Sequence, residues 1–123
     1  MKYDISVSGN NKYILVRVDE PMTTDVLNRF IAEAGEMAKE HEVKKFLYDV
    51  RNSHNMVDHA FYSDLVYKRA GDLGFVYGTK HAILVEEEDM PDYHFVETVL
   101  NNAGYLGRMF TDETEAVEWL LNE

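Results

Sequence analysis

The densest group of side chains able to bind a ligand or react lies where one apolar segment ends. Residues 46–50 form a buried-strand pattern that contains a carboxylate, and residues 51–55 form a loop of hydrogen-bonding side chains. Ligands of open α/β sheets bind beyond the carboxyl ends of parallel strands, so this position predicts a binding site. The candidate site residues, including two from the helical pattern that follows, are Asp49, Arg51, Ser53, His54, Asn55, Asp58 and Tyr62.

Catalysis by these residues needs a geometry that the sequence does not favour. A serine hydrolase would require His54 to take a proton from Ser53 while a carboxylate orients the ring. Adjacent loop residues rarely reach that geometry, and the sequence has no Gly-x-Ser-x-Gly turn. The chain is therefore predicted not to be an enzyme, and an enzyme built on Asp49 and His54 ranks third among the functional hypotheses.

Metal and cofactor sites are not indicated either. None of the five histidines stands four residues from another, which is the spacing of a helical ligand pair. The acidic run 86–89 lacks the alternating oxygens and the glycine of a calcium loop. The glycines at 71, 74 and 78 lack the strand-before, helix-after context of a phosphate loop. We predict no metal and no cofactor.

Composition narrows the class of protein and its partners. The 123 residues are 46% hydrophobic, contain no cysteine and carry a net charge of −11. This predicts one domain over residues 1–123 that needs no disulfide, and it suits a reducing cytoplasm. A strongly negative surface repels nucleic acid, and no apolar run is long enough for a membrane span, so neither is an expected partner.

The order of hydrophobic periods predicts an α/β fold with a five-stranded mixed sheet, ββαβαβαβα. Alternation over residues 3–7 and 13–18 around a Gly-Asn-Asn turn indicates an antiparallel hairpin. Right-handed crossovers then make strands 2–5 parallel and place the helices mainly on one face. The less covered face predicts either a covering segment or self-association, and with an exposed edge strand it suggests a homodimer.

Three segments give the chain a resemblance to the STAS/SpoIIAA-like family, and to its small bacterial SpoIIAA-like proteins in particular. They are Lys-Phe-Leu-Tyr-Asp-Val at 45–50, His-Ala-Ile-Leu-Val at 81–85 and the tail Arg-Met-Phe-Thr-Asp-Glu-Thr-Glu-Ala-Val-Glu-Trp-Leu at 108–120. The resemblance implies a binder of protein partners, or of apolar or nucleotide ligands, and not generally an enzyme. It also implies a phosphorylated serine in the loop after the central strand. Ser53 is the candidate, although the Gly-Leu that follows the family's serine is missing.

Two functions remain open at this level. The first is a cytoplasmic regulatory module that contacts a protein partner through the strand-end loops and the second helix. The alternative is a carrier or sensor of a small apolar ligand bound beyond the carboxyl ends of the parallel strands. Aromatic residues suggest the alternative, and a pocket lined by them would favour it over the first. These aromatic residues are Tyr48, Phe61, Tyr62, Phe75 and Tyr77.

Overall fold

A computed structural model describes residues 3–122, which form one five-stranded sheet with helices on both of its faces. The predicted domain 1–123 also includes residues 1, 2 and 123, which lie outside the described residues. The elements, in chain order, are β1 (Tyr3–Val7), β2 (Ile14–Val18), α1 (Thr24–His41), β3 (Lys45–Asp49), α2 (His59–Asp64), a π-helical segment (Leu65–Arg69), β4 (Lys80–Leu84), a 3₁₀ turn (Glu87–Asp89), α3 (Met90–Asn102), β5 (Leu106–Phe110) and α4 (Glu113–Leu121).

The strands lie side by side in sequence order, β1-β2-β3-β4-β5. β1 pairs antiparallel with β2, and every other neighbouring pair is parallel, which confirms the predicted mixed sheet. The register aligns Val16 of β2, Tyr48 of β3 and Ile83 of β4 in one row across the sheet. Because side chains alternate along a strand, this row faces one side and its sequence neighbours face the other.

Side-chain caps fix where three of the helices begin. Thr23 accepts a hydrogen bond from the Val26 amide, Asp58 from Phe61 and Asp112 from Glu115. Each cap satisfies a backbone N–H that has no partner within the first helical turn. All three are residue types that N-cap positions prefer.

The sheet divides the interior into two cores. The large core lies between the sheet and α1, α2 and α3, and it contains Val16, Phe30, Tyr48 and Ile83. The small core lies between the sheet and α4, and its buried members are Leu47, Ala82, Leu84, Phe110, Ala116 and Leu120. Three helices on one face and one on the other confirm the prediction, and α4 is the segment that covers the second face.

Side chains of α3 occupy the free edge of β5. The Asn101 amide donates to the Gly107 carbonyl and accepts from the Gly107 N–H, at 2.9 Å and 3.0 Å. Glu97 accepts from the Met109 N–H at 2.7 Å. These bonds use backbone groups that would otherwise pair with another strand, as protected sheet edges do in general. The homodimer stays a prediction, although α4 covers the second face and side chains of α3 occupy one of the two sheet edges.

The described helices include none with the length and apolar character that crossing a bilayer requires.

Candidate functional site

The predicted site residues divide between the two faces of the sheet. Asp49 lies on the face that α4 covers, because it stands one residue after Tyr48 in β3. Its carboxylate is 9% exposed and accepts two bonds from Arg51, from Nε at 3.0 Å and from Nη2 at 2.9 Å. Arg17 of β2 donates to the same carboxylate. Glu113 closes the group, at 3.1 Å from Arg51 and 3.2 Å from Arg17.

This four-residue ion cluster joins the start of α4 to the sheet. Burial by itself would raise the pKa of Asp49. The hydrogen bonds and charge of Arg51, together with the charge of Arg17, outweigh this effect and lower the pKa below its ordinary value. Two guanidiniums and two carboxylates neutralise one another, so the cluster presents no free acid or base. Arg17 and Glu113 are not among the predicted site residues, because only the register of β2 on β3 and the docking of α4 bring them to Asp49.

Ser53, His54 and Asn55 belong to a loop that is tied to the chain before α1. The Met22 N–H donates to the His54 carbonyl at 2.8 Å, and Met56 donates to the Met22 carbonyl at 2.9 Å. Ser53 is 1% exposed, and its hydroxyl bonds neither His54 nor any other described residue. The His54 ring is 81% exposed and lies 3.5 Å from Asp89. The structure therefore brings no serine and histidine together as a nucleophile and its base.

Asn55, Asp58 and Tyr62 organise the loop and the helix behind it. Asn55 accepts from the Val57 N–H at 3.1 Å and from the Tyr62 hydroxyl at 2.9 Å. Asp58 caps α2 through the Phe61 N–H at 2.8 Å. These contacts are local hydrogen bonds of the kind that Asx turns and helix caps provide. Of the three residues, only Tyr62 also reaches the interior.

An apolar cavity of about 80 Å³ lies inside the large core. Tyr48, Tyr62 and Phe75 from the predicted aromatic group line it, whereas Phe61 does not and Tyr77 is 72% exposed. The cavity lies under the sheet, between β3, β4 and the three helices, rather than beyond the strand ends. Its other lining residues are Met22, Leu27, Phe30, Ile31, Val50, Leu65, Val66, Ala70, His81, Ile83, Tyr93, Val96, Leu100 and Tyr105.

Four tyrosines and a histidine line the cavity, and the protein itself bonds the polar atoms of the histidine and of three tyrosines, Tyr48, Tyr62 and Tyr93. Tyr62 donates to Asn55, and Tyr93 donates to the Ser53 carbonyl at 2.8 Å. Burial raises the pKa of both phenols well above the ordinary value, so they stay neutral. Each ring thus offers carbon to the cavity and directs its hydroxyl to the loop at 53–55.

A hydrogen-bond chain fixes the state of His81. The Thr79 hydroxyl donates its one hydrogen to the Val76 carbonyl at 2.8 Å, so at 2.8 Å it accepts from His81 Nε2–H. His81 Nδ1 then carries a lone pair and accepts from the Tyr48 hydroxyl at 2.9 Å. Burial lowers the pKa of His81 to about 3, so the ring is neutral at physiological pH. The chain leaves neither ring nitrogen available to a ligand.

The helix that borders the cavity changes its winding there. After α2, residues Leu65–Arg69 form a π-helical turn that ends with the Ala70 N–H donating to the Leu65 carbonyl at 2.8 Å. Leu65, Val66 and Ala70 all line the cavity. Such turns are rare and occur frequently at functional sites. No pattern in the sequence distinguishes this turn from an ordinary helix.

Comparison with known proteins identifies the fold. No family model and no curated protein matches the chain. The solved structures that match include the crystal structure of an uncharacterised protein of the DUF3478 family with a SpoIIAA-like fold from Shewanella loihica PV-4, with a TM-score of 0.63. The match covers 97% of this chain and 93% of the other. The fold is SpoIIAA-like. Sequence identity is 14%, so the match establishes the fold and not a function.

The SpoIIAA-like fold places Ser53 in the loop after its central strand, where the family resemblance implies phosphorylation. With 1% of its surface exposed, the hydroxyl is closed to a kinase in this conformation. Asp49, the nearest carboxylate in sequence, lies on the face of α4 and is bonded by two arginines. Phosphorylation of Ser53 stays a prediction, and it would first require the bonds between this loop and Met22 to open.

Proposed function

We propose that this protein is a non-catalytic module that binds a small apolar ligand in the cavity of the large core. The observation that carries the proposal is the cavity itself. Close-packed interiors contain few voids larger than a water molecule. At roughly 24 cal/mol per Å³, an empty cavity of this volume costs roughly 2 kcal/mol of stability. A ligand that fills it would recover part of that free energy.

The lining restricts the class of ligand. The hydroxyls of Tyr48, Tyr62 and Tyr93 and both nitrogens of His81 are bonded to protein groups. A polar ligand would lose its hydrogen bonds to water and gain none from these groups, which costs about 1–3 kcal/mol for each polar group left unpaired. The volume is about half that of an engineered cavity of roughly 150 Å³ that binds benzene. The expected ligand is therefore a hydrocarbon group of a few carbon atoms.

The separation of the reactive side chains supports the non-catalytic part of the proposal. Asp49 is bonded by two arginines on one face of the sheet, whereas His54 is exposed near Asp89. Neither points into the cavity, since neither lines it. A cytoplasmic location, predicted from the lack of cysteine, belongs to the same proposal.

A protein partner is the second candidate, and two exposed apolar side chains favour it. Met56, in the loop that follows the site, is 68% exposed, and Tyr67, in the π-helical segment, is 52% exposed. Both lie on the surface predicted to contact a regulatory partner, the strand-end loop and the second helix. Met56 and Tyr67 would supply the apolar part of such an interface, where Met and Tyr are enriched.

Native mass spectrometry of protein purified from its own host tests the first proposal. The wild type should retain a small apolar ligand, and Ala70→Leu should not, because three added carbons would occupy the cavity. Ala60→Leu is the matched control, since Ala60 is exposed in the preceding helix α2. Equal retention by both variants would contradict the proposal. Recovery of a protein that Met56→Ser and Tyr67→Ser release would instead support the second candidate.

A further inference from the structure

Phe75 lines two separate spaces. It lines the cavity of the large core and also a surface groove of about 530 Å³. The groove lies at the amino ends of β3 and β4, between the last turn of α1 and residues 74–79. Phe75 itself is 8% exposed. It is the only residue that lines both spaces among those that border the groove, so its side chain separates them.

We propose that this groove is the entrance to the cavity and that the Phe75 side chain is the gate between them. The inference rests on the proposed function, because it concerns how a ligand reaches that cavity. The entrance would lie at the amino ends of the strands. Ligands of parallel sheets ordinarily approach the carboxyl ends, where the sequence also predicted the site.

The carboxyl end is closed by hydrogen bonds that tie the loop to three neighbours. Tyr62 bonds Asn55, Tyr93 bonds the Ser53 carbonyl, and residues 54–56 pair with Met22. Opening this end would break several bonds at once. At the other end, Phe75 lines both spaces, next to a stacked pair in which Phe46 lines the groove and His81 lines the cavity. Moving the Phe75 ring alone would break no hydrogen bond. The amino end is therefore the route that costs less.

The contacts of Phe75 suit a side chain that turns while its backbone stays in place. The ring packs on aromatic neighbours, 5.0 Å from Phe46 and 5.8 Å from His81 between centroids. The backbone is held by the Phe75 N–H donating to the Ala70 carbonyl at 3.1 Å. Rotation about the side-chain torsions of Phe75 would connect the groove to the cavity without breaking a hydrogen bond, since a phenyl ring forms none. Rotations of this kind are faster than loop rearrangements.

Gly35 of α1 lets the segment that carries Phe75 approach closely. A Cβ atom placed on Gly35 would lie 2.4 Å from the Leu73 carbonyl oxygen and 3.1 Å from Phe75 Cε2. Gly74, with φ of +99°, supplies the turn immediately before Phe75. Both glycines therefore set the position of the ring over the cavity.

Xenon exchange measured by ¹²⁹Xe NMR on the full chain tests the proposal. Xenon is an apolar probe that engineered protein cavities bind. Phe75→Ala should raise the entry and exit rates at least about tenfold, which corresponds to about 1.4 kcal/mol of barrier. Leu65→Ala is the matched control, because Leu65 lines the cavity but not the groove. It should change the affinity for xenon through the exit rate and leave the entry rate within about twofold, a barrier change of about 0.4 kcal/mol.

If Phe75→Ala does not fold, Phe75→Leu replaces it as the test, because leucine keeps most of the apolar volume. Phe75→Leu should also raise the entry and exit rates of xenon. Phe75→Trp should slow exchange, because a larger ring closes the same opening. Equal acceleration by Phe75→Ala and Leu65→Ala would overturn the proposal while leaving the cavity as a binding site. Absence of bound xenon in the wild type would instead contradict the proposed function, so the two failures are distinguishable.

Discussion

The two faces of the sheet differ in how completely their cores are filled. In the small core, Leu47, Ala82, Leu84, Ala116 and Leu120 all have 0% exposure and only aliphatic side chains. In the large core, aromatic residues and a histidine surround a cavity of about 80 Å³. One face of the sheet therefore borders a cavity, whereas these residues of the other face line neither the cavity nor the groove. We expect the α4 side to stabilise the fold and the side of α1–α3 to hold the proposed ligand.

Polar contacts follow the same division. On the small-core side, Arg17 and Arg51 hold the start of α4 through Glu113, and Lys80 donates to the Trp119 carbonyl near its end at 2.8 Å. These contacts fix one short helix at both ends. On the large-core side, the hydrogen bonds of the tyrosines point away from the cavity. On that side, the polar contacts hold the tyrosine hydroxyls outside the cavity, so the cavity surface stays apolar.

The largest expected difference between the cores comes from truncating one leucine in each. Leu120→Ala in the small core should lower the free energy of unfolding by roughly 4 kcal/mol, near the upper part of the range for buried leucines. Leu65→Ala in the large core should cost roughly 2 kcal/mol, because a side chain beside a cavity has fewer contacts to lose. Urea denaturation of both variants measures the difference. Equal losses of unfolding free energy in the two variants would contradict the proposed difference between the two cores.

Acidification should act on the large core first, through His81. The unfolded histidine takes up a proton near pH 6.5, whereas burial lowers the pKa of the folded one to about 3. Between these values the unfolded state binds more protons, so stability falls as the pH falls, by about 1.4 kcal/mol per pH unit. The loss should reach roughly 2 kcal/mol from pH 6.5 to 4.5, because the unfolded histidine is already half protonated at pH 6.5.

The variant His81→Phe provides the control for this pH dependence. It keeps the aromatic contact with Phe46 and removes the titrating group. Its unfolding free energy should be lower at pH 7, because Tyr48 and Thr79 lose a partner, but it should fall less steeply over the same range. An unchanged slope in urea titrations at several pH values would show that His81 is not the titrating group.

Adding volume should have opposite effects in the two cores. Ala116→Leu in the small core should destabilise the protein by roughly 2 kcal/mol, because a filled layer must distort to accept three more carbons. Ala70→Leu, which points the same carbons at the cavity, should be neutral or stabilising by up to roughly 1 kcal/mol. Thermal unfolding of the two variants measures the sign of each effect. Destabilisation by both would mean that the cavity cannot accept added atoms.

The smallest expected effect comes from the ion cluster at the start of α4. Glu113 is 37% exposed, so Glu113→Gln should cost at most about 1 kcal/mol, and less in high salt. Retention of the apolar ligand should not change, since Glu113 lies on the other side of the sheet from the cavity. A loss of ligand binding in this variant would show that the two faces are coupled.

The sequence was sufficient for the element order, the parallel strands and the dominant helical face. These follow from periods such as the alternation of Tyr3, Ile5 and Val7, and from caps such as Asp58 and Asp112. It was not sufficient for the partners of Asp49. Arg17 and Glu113 are 32 and 64 positions away from it, and only the register of β2 on β3 and the docking of α4 bring them close.

The cavity and the burial of Ser53 were also beyond sequence reasoning, for different reasons. A void is a small difference between the volume enclosed by the elements and the volume of their side chains, and hydrophobic patterns do not record it. Ser53 lies in a stretch of polar residues that predicts exposure. It is buried because the backbone of its loop pairs with Met22, and a backbone contact leaves no signal in residue types.

Crystals of the protein pressurised with xenon provide the most direct measurement of the central claim. The account predicts one strong xenon peak inside the large core, among Tyr48, Tyr62 and Phe75, and no peak in the small core beneath α4. A large core that stays empty at saturating xenon pressure, or a peak between α4 and the sheet instead, would contradict it.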